Sequence, residues 1–480
     1  MLITSPKEAK LPQSPQLSKL PQPPRKRQEE AAPKQDPARS IYADAFHKDA
    51  AEHERGRELP EKGETESRRF WNTRLRNIQP YVPGEQPTDR SYIKLNTNEA
   101  PFPPSPRVRE RLRNFRVDEL GLYPDPNSLR LRTALAAYHG LRRENVFVGN
   151  GSDEILAFAF QAFFERCEDL GLDQRNRRLL GDESRAQPPA KSQLSLSDAV
   201  LGGHEVLTPA LGYSFYGVYA DFYDIPLRRI PLREDFRVEV RDYDRPSGAV
   251  ILANPNAPTG LALSRKELRR LLDQDPDRLV IVDEAYVDFA SEACSALPLL
   301  DSYENLLLIR TFSKSRALAG LRLGFALGPP GLIRALETVR DCFNSYTVDR
   351  LAAELGEASL ADELYFARCC EDLRQIRDAS IDYLRSWGYR VMKSEANFIW
   401  LAHPRLSGQA LFARLREAGI LSRYFDQEGC RDFIRLSVGD EGQMASCLNL
   451  LQALMDDARD EADGAASGSV AAPPMEEGIS

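Results

Sequence analysis

The chain has 480 residues, of which 28% are charged and 42% hydrophobic, and its formal net charge is −8. This length allows two or three domains, and the composition is typical of a soluble globular protein. No apolar run approaches the ~20 residues of a membrane-spanning helix, and the negative charge argues against general nucleic-acid binding. We therefore expect neither a membrane nor a nucleic acid as a partner.

Seven cysteines are scattered without a C-x-x-C pair, and the five histidines form no metal-ligand cluster. This pattern predicts reduced thiols and no metal site. We expect a cytoplasmic protein, with an organelle as the open alternative.

Residues 1–88 are predicted to be a disordered extension. Prolines interrupt polar segments such as 11–16 and 21–27, and such segments cannot bury enough apolar surface to offset the entropy of ordering. No apolar stretch of a secretory signal follows Met1.

Order is predicted from about Tyr92, with helices at 106–115 and 129–138. A short strand at 146–148 is followed by the turn Gly149-Asn-Gly151 and an apolar helix at 155–164. A strand, a glycine turn and a helix N-terminus can bind phosphate through backbone N–H groups. This signal is weak when taken alone, because many such turns bind nothing.

Two domains are predicted after the extension. In the large domain, 89–345, continuous apolar runs alternate with amphipathic helices, which indicates a mainly parallel sheet covered by helices on both faces. Its polar segment 166–203 reads as a surface insertion. A smaller α/β domain follows at 346–456, and 457–480 is predicted to be a disordered tail. The expected strands of the two domains are 225–230, 249–252, 279–282, 306–309, 323–327, 389–392, 398–401 and 433–436.

Lys314 lies in an unusual setting, the run Thr311-Phe-Ser-Lys314 directly after the apolar strand 306–310. A lysine among apolar and small residues is costly to bury as an ammonium, so its pKa should fall toward that of a nucleophilic amine. Arg322 follows eight positions later. A solvated lysine in an ordinary loop is the alternative.

Two further motifs, 254–260 and 283–286, also follow strands. Ligands collect at the carboxyl ends of strands in open α/β sheets, so both motifs should meet Lys314. Asp283 at the end of a buried strand is costly without a cationic partner. A helix cap or structural ion pair is the alternative for Asp283, and a core tyrosine for Tyr286.

Together these motifs resemble the histidinol-phosphate aminotransferases, pyridoxal-phosphate (PLP) enzymes of fold type I. The resemblance runs from about 94 to 454, interrupted mainly by 166–203. It implies an α/β fold with a large PLP-binding domain and a small C-terminal domain. It also implies that PLP is the cofactor and that the protein is a homodimer.

The resemblance assigns the cofactor phosphate to the backbone amides of Ser152 and Asp153, together with Ser313 and Arg322. Tyr123, in the motif Leu-Tyr-Pro-Asp-Pro, is similar to a residue that reaches the phosphate in the neighbouring subunit's site. That role requires a dimer.

The ring of the cofactor is assigned to other residues. Lys314 would form the Schiff base, Tyr213 would stack on the ring, Asp283 would meet its protonated nitrogen, and Tyr286 its ring oxygen. A carboxylate beside that nitrogen makes the ring an electron sink.

One position departs from the wider superfamily, which usually has asparagine before Pro-Thr-Gly, where this chain has Ala257. The hydrogen bond to the ring oxygen must then come from Asn256, from Asn254, or from Tyr286 alone. We name Asn256 as the candidate.

Two arginines in the small domain are the candidate substrate ligands. The resemblance implies that Arg435 clamps the carboxylate of glutamate and that Arg423 binds the substrate phosphate, for which the donor fork of arginine is suited. Solvated surface arginines are the alternative. Asn397 and 344–346 are further pocket candidates.

The predicted reaction is transamination between L-histidinol phosphate and 2-oxoglutarate, which in the biosynthetic direction uses imidazole acetol phosphate and glutamate. A PLP decarboxylase or an aromatic aminotransferase could share every cofactor residue. An aminotransferase-like sensor in a transcription regulator is a third reading, disfavoured because residues 1–88 show no helix-turn-helix pattern.

Overall fold

The computed structural model describes residues 68–72, 74–75, 78–170 and 203–467, without the side chains of 68 and 458–467. Most of the predicted extension, the interior of the predicted insertion and the last part of the predicted tail lie outside these residues. The prediction of disorder was wrong for 457–467, which continue the last helix, Glu441–Ser467. Residues 78–88 contain no helix or strand. The described residues belong to one compact unit, so the predicted domain boundary at 345/346 stays a prediction.

A seven-stranded sheet forms the centre of the fold. Its strands are built from the apolar runs of the sequence, and most of their residues are buried. The strands are β2 (Val146–Gly149), β3 (Val206–Pro209), β4 (Leu227–Ile230), β5 (Ala249–Ala253), β6 (Leu279–Asp283), β7 (Leu306–Thr311) and β8 (Gly324–Leu327). Their order is β2-β8-β7-β6-β5-β3-β4.

The sheet is mainly parallel, as predicted. Strands β4, β3, β5, β6 and β7 pair in parallel, whereas β8 is antiparallel to both of its neighbours, β7 and β2. The carboxyl ends of the other strands therefore lie at one edge of the sheet, where β8 begins. This edge brings together residues that are far apart in the sequence.

Helices cover both faces of this sheet, and further helices belong to the C-terminal part. They are α1 (Pro106–Arg113), α2 (Leu129–His139), α3 (Gly151–Phe163), α4 (Phe215–Tyr223), α5 (Arg265–Asp273), α6 (Pro330–Phe343), α7 (Arg350–Leu360), α8 (Glu363–Trp387), α9 (Gly408–Glu417) and α10 (Glu441–Ser467). Within the described ranges, none of the helices is both long and apolar enough to cross a bilayer.

Each face of the central sheet has its own hydrophobic core, because successive side chains of a strand point to opposite faces. On β5, Val250 and Leu252 belong to one core, whereas Ala249 and Ile251 belong to the other. Strands that are buried on both faces require a continuous apolar run, which is the pattern that the sequence shows.

The C-terminal part contains an antiparallel sheet of order β12-β13-β10-β9. Its strands are β9 (Arg390–Val391), β10 (Phe398–Ala402), β12 (Arg423–Tyr424) and β13 (Phe433–Ser437).

An early strand, β1 (Ile93–Lys94), pairs in parallel with β11 (Ile420–Leu421). Leu95 lies in the same hydrophobic core as the C-terminal sheet. Although our predicted large domain includes residues 93–95, they pack with the C-terminal part.

Candidate active site

The turn between β2 and α3 forms a cradle of backbone N–H groups at the edge of the sheet. Gly151 has φ +83°, and a Cβ on Gly324 would lie 2.5 Å from the Ser152 nitrogen. Both glycines are thus required by the close approach of β8 to the start of α3. The first N–H groups of a helix have no acceptor within the helix, so the backbone amides of Ser152 and Asp153 are placed to bind an anion.

Arg322 lies beside this cradle. Its Nη2 is 3.0 Å from Asp153 Oδ2, and its Nη1 is 3.4 Å from Ser313 Oγ. Ser313 Oγ also accepts a hydrogen bond of 2.9 Å from Thr311 Oγ1, which leaves its own proton free to be donated. Tyr213 donates to Asp153 Oδ1 at 2.9 Å. The structure therefore brings together the four predicted phosphate residues, Ser152, Asp153, Ser313 and Arg322.

Lys314 follows β7 at the same edge and is partly buried. Its Nζ donates to the carbonyl of Thr97 at 3.1 Å and lies 5.9 Å from the centre of the Tyr286 ring. Burial, followed by the positive charges of Arg435 and Arg322, lowers the pKa of Lys314 to about 8. The neutral amine is therefore far more populated near neutral pH than in an ordinary lysine, in agreement with the predicted fall in pKa.

Asp283, the last residue of β6, is 4% exposed. Its carboxylate accepts hydrogen bonds of 3.1 Å from the Tyr216 hydroxyl and from the Ala285 amide. Burial raises the pKa of Asp283 to about 7, against the effect of these two donors. Among the described residues no cation pairs with it, so the site lacks a positive charge that this carboxylate would stabilise.

Tyr216 is a contact that sequence reasoning missed. It lies on α4, three residues after Tyr213, and its buried hydroxyl donates to Asp283. Burial, and then the charge of Asp283, raises the pKa of Tyr216 well above its usual value. The i, i+3 spacing of two tyrosines was a signal that could have found it.

Tyr286 lies edge-on to Phe398, with ring centres 5.1 Å apart. Its hydroxyl oxygen accepts a hydrogen bond of 3.0 Å from Asn98 Nδ2. Burial raises the pKa of Tyr286, so the phenol stays protonated at neutral pH. The sequence predicted Tyr286 but gave no role to Asn98.

The two asparagines near Ala257 contact other parts of the protein. Asn254 Nδ2 donates to the carbonyls of Leu263 and Cys294. Asn256 Nδ2 donates to the carbonyl of Leu211 and to Thr259 Oγ1, and its Oδ1 accepts no hydrogen bond from the described residues. These contacts weigh against our hypothesis that Asn256 donates to a ring oxygen and leave Tyr286 as the better candidate.

Arg423 and Arg435 are direct partners across β12 and β13. Arg435 Nη2 donates to the carbonyl of Asn96 at 3.0 Å, whereas Arg423 Nη2 donates to that of Val82 at 3.3 Å. Burial, and then the charge of Arg423, lowers the pKa of Arg435. Two like charges opposite each other repel, so an anion between them would be stabilised.

The backbone carbonyls of residues 96–98 form a hub of hydrogen-bond acceptors that no sequence motif predicted. Three consecutive carbonyl oxygens accept hydrogen bonds from three side chains of the site. Asn96 accepts from Arg435, Thr97 from Lys314, and Asn98 from Asn397 at 2.9 Å. This hub orients Asn397, one of our further pocket candidates.

Tyr123 lies apart from the residues assembled above. It is 80% exposed and stacks on Tyr346 with ring centres 4.8 Å apart, and its carbonyl accepts from Arg350. A role for Tyr123 in this chain's own site has no support in these contacts, whereas a role in a partner's site is compatible with its exposure.

Comparison with known proteins gives the class to which this fold and site belong. A family model described as aminotransferase class I and II matches residues 90–170 and 190–454. The chain belongs to the aminotransferase class I and II family.

Two curated relatives are named histidinol-phosphate aminotransferase. The one from Syntrophus aciditrophicus is 46% identical over 79% of this chain and 97% of its own length. The one from Chromohalobacter salexigens is 45% identical over 80% and 99%. Among solved structures, histidinol-phosphate aminotransferase from Sinorhizobium meliloti in complex with pyridoxal-5'-phosphate has a TM-score of 0.66 at 22% identity, over 81% of this chain and 97% of that one. The structural match confirms the predicted α/β fold.

Metal ligation is a separate question. Of the histidine, cysteine, aspartate and glutamate side chains that the structure describes, no group of three is placed to hold a metal ion.

Proposed function

We propose that this protein is a PLP-dependent aminotransferase that transfers the amino group between L-histidinol phosphate and 2-oxoglutarate. The named relatives support the substrate pair, because two of them share 45–46% of their residues with this chain over nearly their whole length. In the biosynthetic direction the substrates are imidazole acetol phosphate and glutamate.

The observation that carries the cofactor assignment is the buried Asp283 without a cationic partner, at the same sheet edge as Lys314. A protonated pyridine nitrogen supplies the missing positive charge, and the α3 cradle with Arg322 supplies donors for a phosphate. A lysine with a pKa of about 8 suits the attack on an aldehyde. The residues present therefore fit PLP.

When bound, PLP supplies an electron sink that stabilises negative charge on the substrate carbon. Asp283 keeps the ring nitrogen protonated, since its own carboxylate is then paired instead of buried alone. The N–H groups at the start of α3, the Ser313 hydroxyl and Arg322 hold the phosphate and thereby fix the ring. In this proposal Tyr213 would stack on the ring.

Lys314 both holds the cofactor and moves a proton. With its amine free, Lys314 Nζ would take a proton from the substrate carbon and return it, because a pKa of about 8 allows both directions near neutral pH. Arg435 and Arg423 bind the anionic groups of the two substrates, the carboxylate of glutamate and the phosphate of histidinol phosphate.

We also propose a homodimer in the cytoplasm. The exposure of Tyr123 and the stack that it forms with Tyr346 support an interface at this surface. Among the described residues the cysteines form no disulfide with one another, which suits a reducing compartment.

The cofactor assignment is tested by reduction. The PLP-loaded protein should be yellow, and borohydride should attach the cofactor covalently to Lys314, as seen by peptide mapping. The variant Lys393→Ala, which removes an exposed lysine, should label as well as wild type. A label on another lysine, or none, would refute the assignment.

The substrate assignment is tested by a panel. We expect kcat/KM with histidinol phosphate to exceed that with histidine, tyrosine, phenylalanine and aspartate, with 2-oxoglutarate as acceptor. Faster turnover of an aromatic amino acid, or release of carbon dioxide, would point to one of the alternative enzymes.

A further inference from the structure

A chain of three buried side chains connects the C-terminal sheet to the candidate site. Ser437 ends β13, Asn98 follows β1, and Tyr286 follows β6. Ser437 Oγ is 2.9 Å from Asn98 Oδ1, and Asn98 Nδ2 is 3.0 Å from the Tyr286 oxygen. All three residues are at most 9% exposed.

The direction of each hydrogen bond in this chain is fixed. Ser437 Oγ accepts from the Asn98 backbone N–H at 2.9 Å, so its single proton is donated to Asn98 Oδ1. With its oxygen engaged, the Asn98 amide presents its NH₂ group to Tyr286. The Tyr286 oxygen is therefore an acceptor toward Asn98, and its own proton must point elsewhere.

No acceptor for that proton exists among the described residues, although the phenol stays protonated at neutral pH. A buried hydroxyl proton without an acceptor costs free energy. The Lys314 amine lies 5.9 Å from the centre of the same ring, so the hydroxyl belongs to the wall of the candidate cofactor site.

The backbone of Asn98 explains why asparagine stands there. Its φ is +56°, in the left-handed region that asparagine, aspartate and glycine tolerate better than other residues. Of these three, asparagine alone can accept from Ser437 and donate to Tyr286 without having to bind a proton first.

We propose that Asn98 is a positioning residue that directs the Tyr286 hydroxyl to donate to the ring oxygen of the bound cofactor. This inference rests on the proposed PLP function. Ala257 has no side-chain amide, and the amides of Asn254 and Asn256 donate to protein acceptors. The hydrogen bond from Tyr286 therefore takes the place of the one that an asparagine at position 257 would donate to the ring oxygen. Ser437 fixes the orientation of the Asn98 amide from the C-terminal sheet.

The variant Asn98→Asp tests this role, because it keeps the shape and the tolerated backbone but replaces the donor with a carboxylate. The Tyr286 proton would then be donated to residue 98 instead of to the cofactor. A hydrogen bond to the anionic ring oxygen favours that form, so its loss should raise the pH midpoint of the cofactor's visible absorption change by about one unit. Ser437→Ala should shift the midpoint in the same direction by less.

A double-mutant cycle separates this role from a merely structural one. Tyr286→Phe should itself raise the midpoint, and adding Asn98→Asp to Tyr286→Phe should then cause no further shift. Asn98→Gly, which keeps the left-handed backbone and lacks the amide, gives the same test should the aspartate variant not fold. The thermal midpoint of the cofactor-free variants controls for general loss of structure.

The outcomes are distinct. An unchanged midpoint in Asn98→Asp, or an equal shift with and without Tyr286, overturns the inference while leaving the proposed function intact. A wild-type protein that shows no visible absorption with PLP overturns the proposed function, and the inference with it.

Discussion

Burial shifts the pKa values of Lys314 and Asp283 in opposite directions. Burial lowers the pKa of the lysine to about 8 and raises that of the aspartate to about 7. Both values move toward neutrality, as expected when charge is removed from water without compensation. A ligand that provides a positive charge for Asp283 and an aldehyde for Lys314 would relieve both costs.

The Asp283→Asn variant should therefore stabilise the cofactor-free protein while it weakens cofactor binding. Folding raises the pKa of Asp283 from 3.8 to about 7, so ionisation penalises the native state increasingly between these pH values. We expect a gain of about 1–3 kcal/mol in the free energy of unfolding at pH 8 and a smaller gain at pH 5. Urea denaturation at both pH values measures this, and an equal gain at both would contradict it.

The two arginines should separate the substrates. Arg435→Ala should slow the glutamate half-reaction most, because histidinol phosphate has no carboxylate, and Arg423→Ala should slow the histidinol phosphate half-reaction most. Loss of a charge-assisted contact should cost about tenfold to a hundredfold. Single-turnover measurements with each substrate, at equal PLP content, are the test.

The two arginines are opposite each other across β12 and β13, so removing the charge of one also changes the electrostatic potential at the other. The ratio of the two half-reactions is therefore the informative quantity. Equal loss of both half-reactions in both variants would mean that the two arginines serve one anion.

Sequence reasoning succeeded where a residue's neighbours in the chain determine its setting. Lys314 follows an apolar strand and Asp283 ends one, so the burial of both and the lowered pKa of Lys314 could be predicted. Asn98 and the carbonyls of 96–98 could not, because their partners are Tyr286, Lys314 and residues of β13, which only the tertiary fold brings near.

At the scale of elements, the start of α3 is held against the start of β8. The strand–turn–helix pattern of the sequence predicted α3. The pairing of β2 with β8 could not be predicted, because a single antiparallel strand within a parallel sheet has no local sequence signal. This pairing places Gly324 against the backbone of Gly151 and Ser152.

The Gly324→Ala variant should displace the cradle. Its Cβ would meet backbone atoms at 2.5–2.6 Å, which cannot rotate away. We expect a loss of about 1–3 kcal/mol in stability and weaker PLP binding. Gly331→Ala, in the first turn of α6 with open space around it, is the matched control and should change stability by less than about 0.5 kcal/mol. Unfolding curves and PLP titrations of the two variants would show the difference.

At the scale of the whole molecule, the site is incomplete if Tyr123 acts in a partner subunit. The exposed apolar side chains near it fit a buried interface better than a solvated surface. They are Val117, Leu120 and Leu122, which directly precede Tyr123 in the chain.

Mixed dimers test this arrangement. A dimer of one Lys314→Ala chain and one Tyr123→Ala chain should contain one intact site, because the chain with Lys314 receives Tyr123 from its partner. Random mixing of the two inactive or weakened variants should restore about a quarter of wild-type activity. Mixtures no more active than the average of the separate variants would place Tyr123 outside the partner's site.

The hub at residues 96–98 has a consequence for how the protein is made. Asn98 is hydrogen-bonded to Ser437, 339 positions later, and β1 pairs with β11, which also lies far along the chain. While the chain leaves the ribosome, the central sheet can assemble long before these partners exist, because contacts over such separations form last. We therefore expect a nascent chain to form the cradle at the start of α3 before the pairing of Asn98 with Ser437 fixes the Thr97 carbonyl that accepts from Lys314.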